Sequence, residues 1–318
     1  MSMMYNKDDA MHIAFPPGNP SVDFEWWYFD AAFNNGEHFV CMYSTNDTRL
    51  QPRQPSVRTN IYCANGDEIW ECKPYKNEDV TVSYERCDAR FGDEYCIDCG
   101  DYYELYTYIN GNGAKLKFYP VLQGWSRPAD PQLMGWTIAI PQGRVEGELY
   151  KGGSVIPVKG IGYHDHNWGH HSMGDIFKNW YWGKIHTDDF CVDYGIIIPK
   201  NGEKPLTAAI AMDKDGMIFS PDISGDTFTA EVSLENISQE PEMGYDFAKK
   251  INLKVSDEKA KIEITIDIER IVMREKAINR PSESVYRYIG KEVTKLTKET
   301  ETKVYNTSSL HEIVYLEV

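Results

Sequence analysis

Four short turns constrain the fold of this chain more than any other feature. Asn35-Gly36, Asn65-Gly66, Asn201-Gly202 and Asp215-Gly216 each stand between runs rich in β-branched and aromatic residues. Both residues of such a pair tolerate positive φ, so Asn-Gly and Asp-Gly are preferred connections between antiparallel strands. The flanking runs alternate accordingly. Ile262, Ile264, Ile266 and Ile268 point one way while Glu263, Thr265, Asp267 and Glu269 point the other, and Phe228, Ala230, Val232 and Leu234 repeat the pattern. Val285, Ile289, Val293 and Leu296 are spaced as on a helix, but Gly290, Tyr286 and Tyr288 fit a strand better. The closing SLHEIVYLEV also reads as a strand, with Ile313, Tyr315 and Glu317 on one face and Val314, Leu316 and Val318 on the other. Many strands with almost no helix predict an all-β sandwich or barrel.

At 318 residues the chain has material for two domains. The polar, turn-forming HHSMGD after Gly169 marks the boundary, giving domains 1–172 and 173–318. The Lys/Glu/Thr-rich KEVTKLTKETETK reads as a solvated strand pair or loop. A net charge of −16 sets nucleic acid and anionic membranes against the protein as partners. The amino-terminal residues have no basic region followed by an apolar run, and no span of about 20 apolar residues occurs anywhere, so stable membrane insertion is not expected and a cytoplasmic location is. Seven cysteines, an odd number, argue against a closed disulfide framework. Cys96-Ile-Asp-Cys99 has redox or metal spacing but lacks a second pair, so reduced structural thiols are expected. Nothing in the sequence sets an oligomeric state.

Ionisable and aromatic residues concentrate in two places. Between Ile161 and His186 lie five of the eight histidines and three of the eight tryptophans. Strand alternation there sends Tyr163, Asp165 and Asn167 to one face and His164, His166 and Trp168 to the other. Spacing alone leaves open which set meets a ligand. In the earlier Asp23–Asp30 run, Glu25, Trp27 and Phe29 share one face, and Trp26, Tyr28 and Asp30 the other. Paired tryptophans in a strand are also what a core requires, and Asp165 flanked by histidines also suits a buried structural tether. His170 and His171 read as solvent-facing linker residues. A metal site from His164, His166, His170 and His171 is not expected, because alternation separates them and no carboxylate or cysteine completes a known spacing. No G-x-S-x-G stands in the sequence, which removes the support for serine hydrolysis.

EWWYFD near the start, GYHDHNWG some 140 residues later and then WYWGK resemble the signature of the hydroxyneurosporene synthase (carotenoid 1,2-hydratase) and AttH-like family. That family includes kievitone hydratase-like proteins and is similar to lipocalin-like pericyclases that form decalins. The resemblance implies two tandem lipocalin-like antiparallel β-barrels, no organic cofactor and a hydrophobic small-molecule substrate. It also implies protonation of an alkene by an acid held neutral in an apolar cavity, with aromatic faces to stabilise the cation. Asp165 is the first candidate for the acid and Glu25 the second. His166 or His164 would orient that carboxyl group or activate water, Trp26, Trp27, Tyr28, Trp168 and Trp182 would line the pocket, and Tyr163 and Asn167 would supply hydrogen bonds. A further Tyr and Asp implicated in the carotenoid hydratases have no clean counterpart. The nearest residues are Asp188, Asp189, Asp193 and Tyr194, so a shorter substrate is expected.

Three functions follow from these residues. The first is acid-catalysed hydration or cyclisation of an apolar, unsaturated isoprenoid or polyketide. The second is a pericyclase that folds a polyene into a reactive conformer. The third is a non-catalytic lipocalin-like carrier, in which Asp165 and Glu25 would be ion-paired or turned away from the ligand.

Overall fold

The computed structural model describes residues 6–129, 134–239, 244–277 and 280–316, so Glu317 and Val318 of the closing strand lie outside the described residues. The chain divides into two compact units, Met1–Ser172 and Met173–Val318. Helix among the described residues is confined to turns of three or four residues. None is long and apolar enough to cross a membrane.

The first unit holds β1 (Phe24–Phe33), β2 (His38–Ser44), β3 (Ser56–Tyr62), β4 (Glu68–Pro74), β5 (Val80–Val82), β6 (Asp88–Phe91), β7 (Glu94–Asp98), β8 (Tyr103–Ile109), β9 (Asn112–Pro120), β10 (Trp125–Arg127), β11 (Gly135–Lys151) and β12 (Ser154–Gly169). They form one antiparallel sheet in the order β4-β3-β2-β1-β12-β11-β9-β8-β7-β6-β5, with β10 on β11. The sheet curls until distant strands touch across its interior. Tyr43 of β2 donates its hydroxyl to the Tyr106 carbonyl of β8 at 2.9 Å, and the Thr59 and Thr107 hydroxyls meet at 3.2 Å. Inside the curl lie Phe29, Phe39, Phe91, Leu105 and Phe118, none with more than trace exposure.

The second unit holds β13 (Phe177–His186), β14 (Phe190–Pro199), β15 (Leu206–Asp213), β16 (Gly216–Phe219), β17 (Thr229–Gln239), β18 (Asp246–Ser256), β19 (Ala260–Ala277), β20 (Arg280–Lys298) and β21 (Glu301–Leu316). Its sheet order is β16-β15-β14-β13-β21-β20-β19-β18-β17. Each turn dipeptide joins an antiparallel pair, namely β1–β2, β3–β4, β14–β15 and β15–β16. The segment around Val285–Leu296 is strand, in register with both β19 and β21. The Lys/Glu/Thr-rich run is the tip of the β20–β21 hairpin.

Ile262, Ile264 and Ile266 are buried and Ile268 is partly so, while Asp267 and Glu269 on the opposite face are exposed. That is the period-two pattern of a sheet with one apolar face.

All seven cysteines are free thiols, five of them buried. Burial pushes the Cys41 thiol up to about 12, which keeps it uncharged and unreactive.

Candidate functional site

β1 and β12 are direct antiparallel neighbours, with Tyr28 opposite Asp165, Trp27 opposite His166 and Glu25 opposite Trp168. EWWYFD and GYHDHNWG therefore form one two-stranded patch, and each of its faces has a distinct chemistry.

The inner face carries Glu25, Trp27, Phe29, His164, His166 and Trp168. It is closed by the chain's own residues 6–13. Asp9, buried in that segment, accepts from His164 Nε2 at 2.9 Å on Oδ2, and its Oδ1 lies 3.3 Å from His166 Nδ1. Glu25 takes three N–H donors: the His12 amide at 2.7 Å, the Ile13 amide at 2.8 Å and His166 Nε2 at 2.8 Å. Trp27 stacks on His166 with ring centres 4.4 Å apart, and Phe29 stacks on His164 at 3.8 Å. Trp168 stacks on His12 at 3.6 Å and packs across Gly135, where any Cβ would overlap the indole.

Burial alone would drive protons off His164 and His166, but the facing carboxylates outweigh it and hold both rings on the protonated side. Burial likewise favours the neutral form of Asp9, and the two imidazoles override it and hold the acid ionised. Two imidazolium ions and two carboxylates thus cancel inside the unit, the condition under which charges are tolerated there.

The outer face carries Trp26, Tyr28, Tyr163, Asp165 and Asn167. Asp165 Oδ2 accepts from the Trp136 indole N–H at 2.9 Å and the Tyr163 hydroxyl at 2.9 Å, and Oδ1 accepts from the Asn167 amide at 3.1 Å. Trp136 comes from β11, whose register with β12 slips twice, between Ile138 and Ile140 and between Ile140 and Gly143. Trp136 precedes both slips and pairs with Asn167, so it stands diagonally across from Asp165 on the same face. Asp165 is 4% exposed. Its desolvation outweighs the three donors and raises the carboxyl pKa from 3.8 to about 6.

This geometry corrects several expectations. His164 and His166 neither orient Asp165 nor face a common pocket with it, because they leave β12 on the opposite side. Trp27 and Trp168 belong to the closed core rather than to a pocket beside Asp165. Glu25 is buried on the inner face, where it accepts from three N–H donors. Tyr163, Asp165 and Asn167 leave β12 on the face away from the core cluster and are themselves buried. Trp182 is half-buried on β13 of the second unit, with Lys184 Nζ 5.1 Å from its ring centre. His170 is exposed and pairs with Asp23 at 3.0 Å. Of the Asp and Tyr residues near the missing counterparts, Asp189 accepts from the Tyr305 hydroxyl at the surface, while Tyr194 is buried.

Three groups had no signal in the sequence. Asp9 and Trp136 join the two faces from 155 and 29 residues away. The third is in the second unit, where His311 bridges the Tyr194 hydroxyl at 2.9 Å and Glu292 Oε1 at 2.8 Å, and Glu292 also accepts the Ser309 amide. Gly183 makes room for that imidazole, since a Cβ there would overlap His311 Nδ1.

No protein-family model matches the sequence, and no curated protein matches it. Solved structures do. An AttH-like protein of Nitrosomonas europaea superposes with a TM-score of 0.68 at 14% identity, over 95% of this chain and 97% of that one. CghA bound to Sch210972 gives 0.71 at 12% identity, over 94% and 89%. The fold is the tandem lipocalin-like barrel. Kievitone hydratase of Nectria haematococca has it too, with a TM-score of 0.61 at 15% identity over 93% and 90% of the chains. In this lipocalin-like chain, EWWYFD and GYHDHNWG, the first two motifs of the sequence resemblance, are the paired strands β1 and β12 of the first unit.

Proposed function

We propose that this protein is an enzyme of the hydratase or cyclase kind, acting on an apolar, unsaturated small molecule with Asp165 as its acid. The observation that carries this reading is the environment of Asp165: an enclosed carboxyl group held by an indole, a phenol and a carboxamide. Among the described residues no lysine or arginine pairs with it, which favours catalysis over the carrier reading. A neutral carboxyl group can hand its proton to an alkene carbon, and the carboxylate left behind is received by three donors already in place. Trp26 and Tyr28, on the same face of β1, supply aromatic surface to the developing cation. Tyr163 and Asn167 position the carboxyl group. The hydratase among the structural relatives supports the same class of chemistry.

The bound Sch210972 in CghA favours a second reading, in which the hydrogen-bonding face polarises and folds a polyene for a pericyclic step. Incubation in deuterium oxide separates the two. Kievitone, named by one relative, and linear prenyl and polyene alkenes serve as probes, and product is examined by mass spectrometry. Acid catalysis places one deuterium on carbon, and Asp165→Asn lowers turnover by about 10²-fold or more. Unlabelled cyclised product assigns the pericyclic reading, and undiminished turnover by folded Asp165→Asn removes the acid role.

A further inference from the structure

We propose that the first unit is built to hold a thiophilic divalent cation of the zinc class between Asp9, Cys87 and His164. One ligand atom from each lies within 4.8 Å of the other two, and all three side chains are buried. They converge from remote parts of the chain: the amino-terminal segment, the residue before β6, and β12. The inference is independent of the Asp165 reading, because that carboxyl group leaves β12 on the other face.

The orientation of His164 is the first argument. Its Nδ1 lies 2.9 Å from the Tyr28 carbonyl, which can only accept, so Nδ1 carries the hydrogen and Nε2 is presented to Asp9 at 2.9 Å. A bare ring nitrogen and a carboxylate oxygen repel one another, so this arrangement requires a positive charge at Nε2. A proton meets the requirement, and so does a metal ion that also takes Cys87. An imidazole whose remote N–H is fixed by a backbone carbonyl is the usual second-sphere arrangement of a metal-bound histidine.

Two further observations point the same way. Asp9 Oδ1 is enclosed and makes no hydrogen bond among the described residues, its closest cationic neighbour being His166 Nδ1 at 3.3 Å. Cys96 Sγ, also buried, stands 3.9 Å from Cys87 Sγ. Cys96 adjoins Cys87 but lies outside the group whose ligand atoms all fall within 4.8 Å of one another, so the protein ligands are Asp9, Cys87 and His164, with Cys96 as the neighbour of the thiolate. Thiolate with imidazole and carboxylate suits zinc over calcium or magnesium. Binding releases the Nε2 proton of His164 and the Cys87 thiol proton to solvent, and ties the amino-terminal segment to the sheet that it fills.

The test is to express the full chain in cobalt-supplemented minimal medium, remove loose metal by gel filtration, and record metal content and absorption spectrum. One cobalt per chain is expected, with a thiolate-to-cobalt charge-transfer band and the intense visible bands of tetrahedral cobalt. Cys87→Ser should remove at least half of the charge-transfer intensity and weaken retention about tenfold or more. Cys99→Ser, outside the cluster, should leave both unchanged. A wild-type protein without a thiolate band overturns the proposal, whether metal-free or carrying only weak octahedral cobalt, and this result does not depend on any variant folding. A band lost in Cys99→Ser but kept in Cys87→Ser overturns it as well.

Discussion

Replacing Asp165 with asparagine should make the protein more stable, and increasingly so as the pH rises. The carboxyl pKa stands at about 6 in the folded chain against an ordinary 3.8. Below the ordinary value the group is protonated in both the folded and unfolded states and costs nothing. As pH rises the unfolded chain ionises first, and stability falls until the folded group has ionised too, near pH 6. Above that the whole penalty is in force, roughly 3 kcal/mol at about 1.4 kcal/mol per pH unit. Asparagine cannot ionise and escapes it. The substitution carries a cost of its own, because the new amide N–H₂ faces the Asn167 amide that now donates to Oδ1. That cost does not depend on pH, so the difference between two pH values isolates the charge. Urea unfolding of wild type and Asp165→Asn at about pH 4 and about pH 8, with chelator present, should show the variant gaining about 2.5 kcal/mol between them, since the unfolded carboxyl is already partly ionised at about pH 4. A difference that stays constant across the two conditions would refute a desolvated, neutral-leaning Asp165.

Other substitutions separate structural from chemical roles. Burial would raise the pKa of Asp47, but Arg58 at 2.5 Å, Arg49 and Ser56 outweigh it and hold the acid below its usual range. The stability this lends is present above the ordinary carboxylate pKa and is lost as pH falls through the lower folded value. Arg58→Met should cost about 3–5 kcal/mol at neutral pH by stranding a buried charge, and the loss should shrink in acid, as urea titrations can report. Glu25→Gln should lower stability by a similar amount, about 3–5 kcal/mol, while folded protein keeps turnover within a few-fold on any substrate that Asp165 protonates. Gly183→Ala should destabilise the second unit by about 1–3 kcal/mol through overlap with His311, and His311→Ala in the same chain should recover part of the loss in a double-mutant cycle.

The strands of this protein are legible in its sequence because their information is local. Asn and Gly at turn positions need only their own backbone freedom, and the isoleucines of β19 need only a pleat that separates neighbours. The same period two correctly divides residues 163–168 into two sets, and it resolves Val285–Leu296 as strand once Tyr286 and Tyr288 are counted inward. Function at those positions was harder to read. Alternation says that Asp165 and His166 oppose each other, but not which of them a curled sheet encloses. That choice follows from what fills the curl, and Asp9 does so from 155 residues upstream of His164, with no periodicity linking the two.

Trp136 reaches Asp165 as a diagonal cross-strand neighbour, because Trp136 pairs with Asn167 and Ile138 with Asp165, and which strand lies beside β12 leaves no trace in a pattern of apolar residues. The His311–Glu292 pair is likewise a cross-strand encounter between β20 and β21. Backbone geometry and side-chain alternation are therefore set by the sequence alone, since they depend on neighbours along the chain. The pairing of buried charges, and the lack of a lysine or arginine partner for Asp165 among the described residues, are decided only in the tertiary structure, because electrostatic energy depends on distance in space.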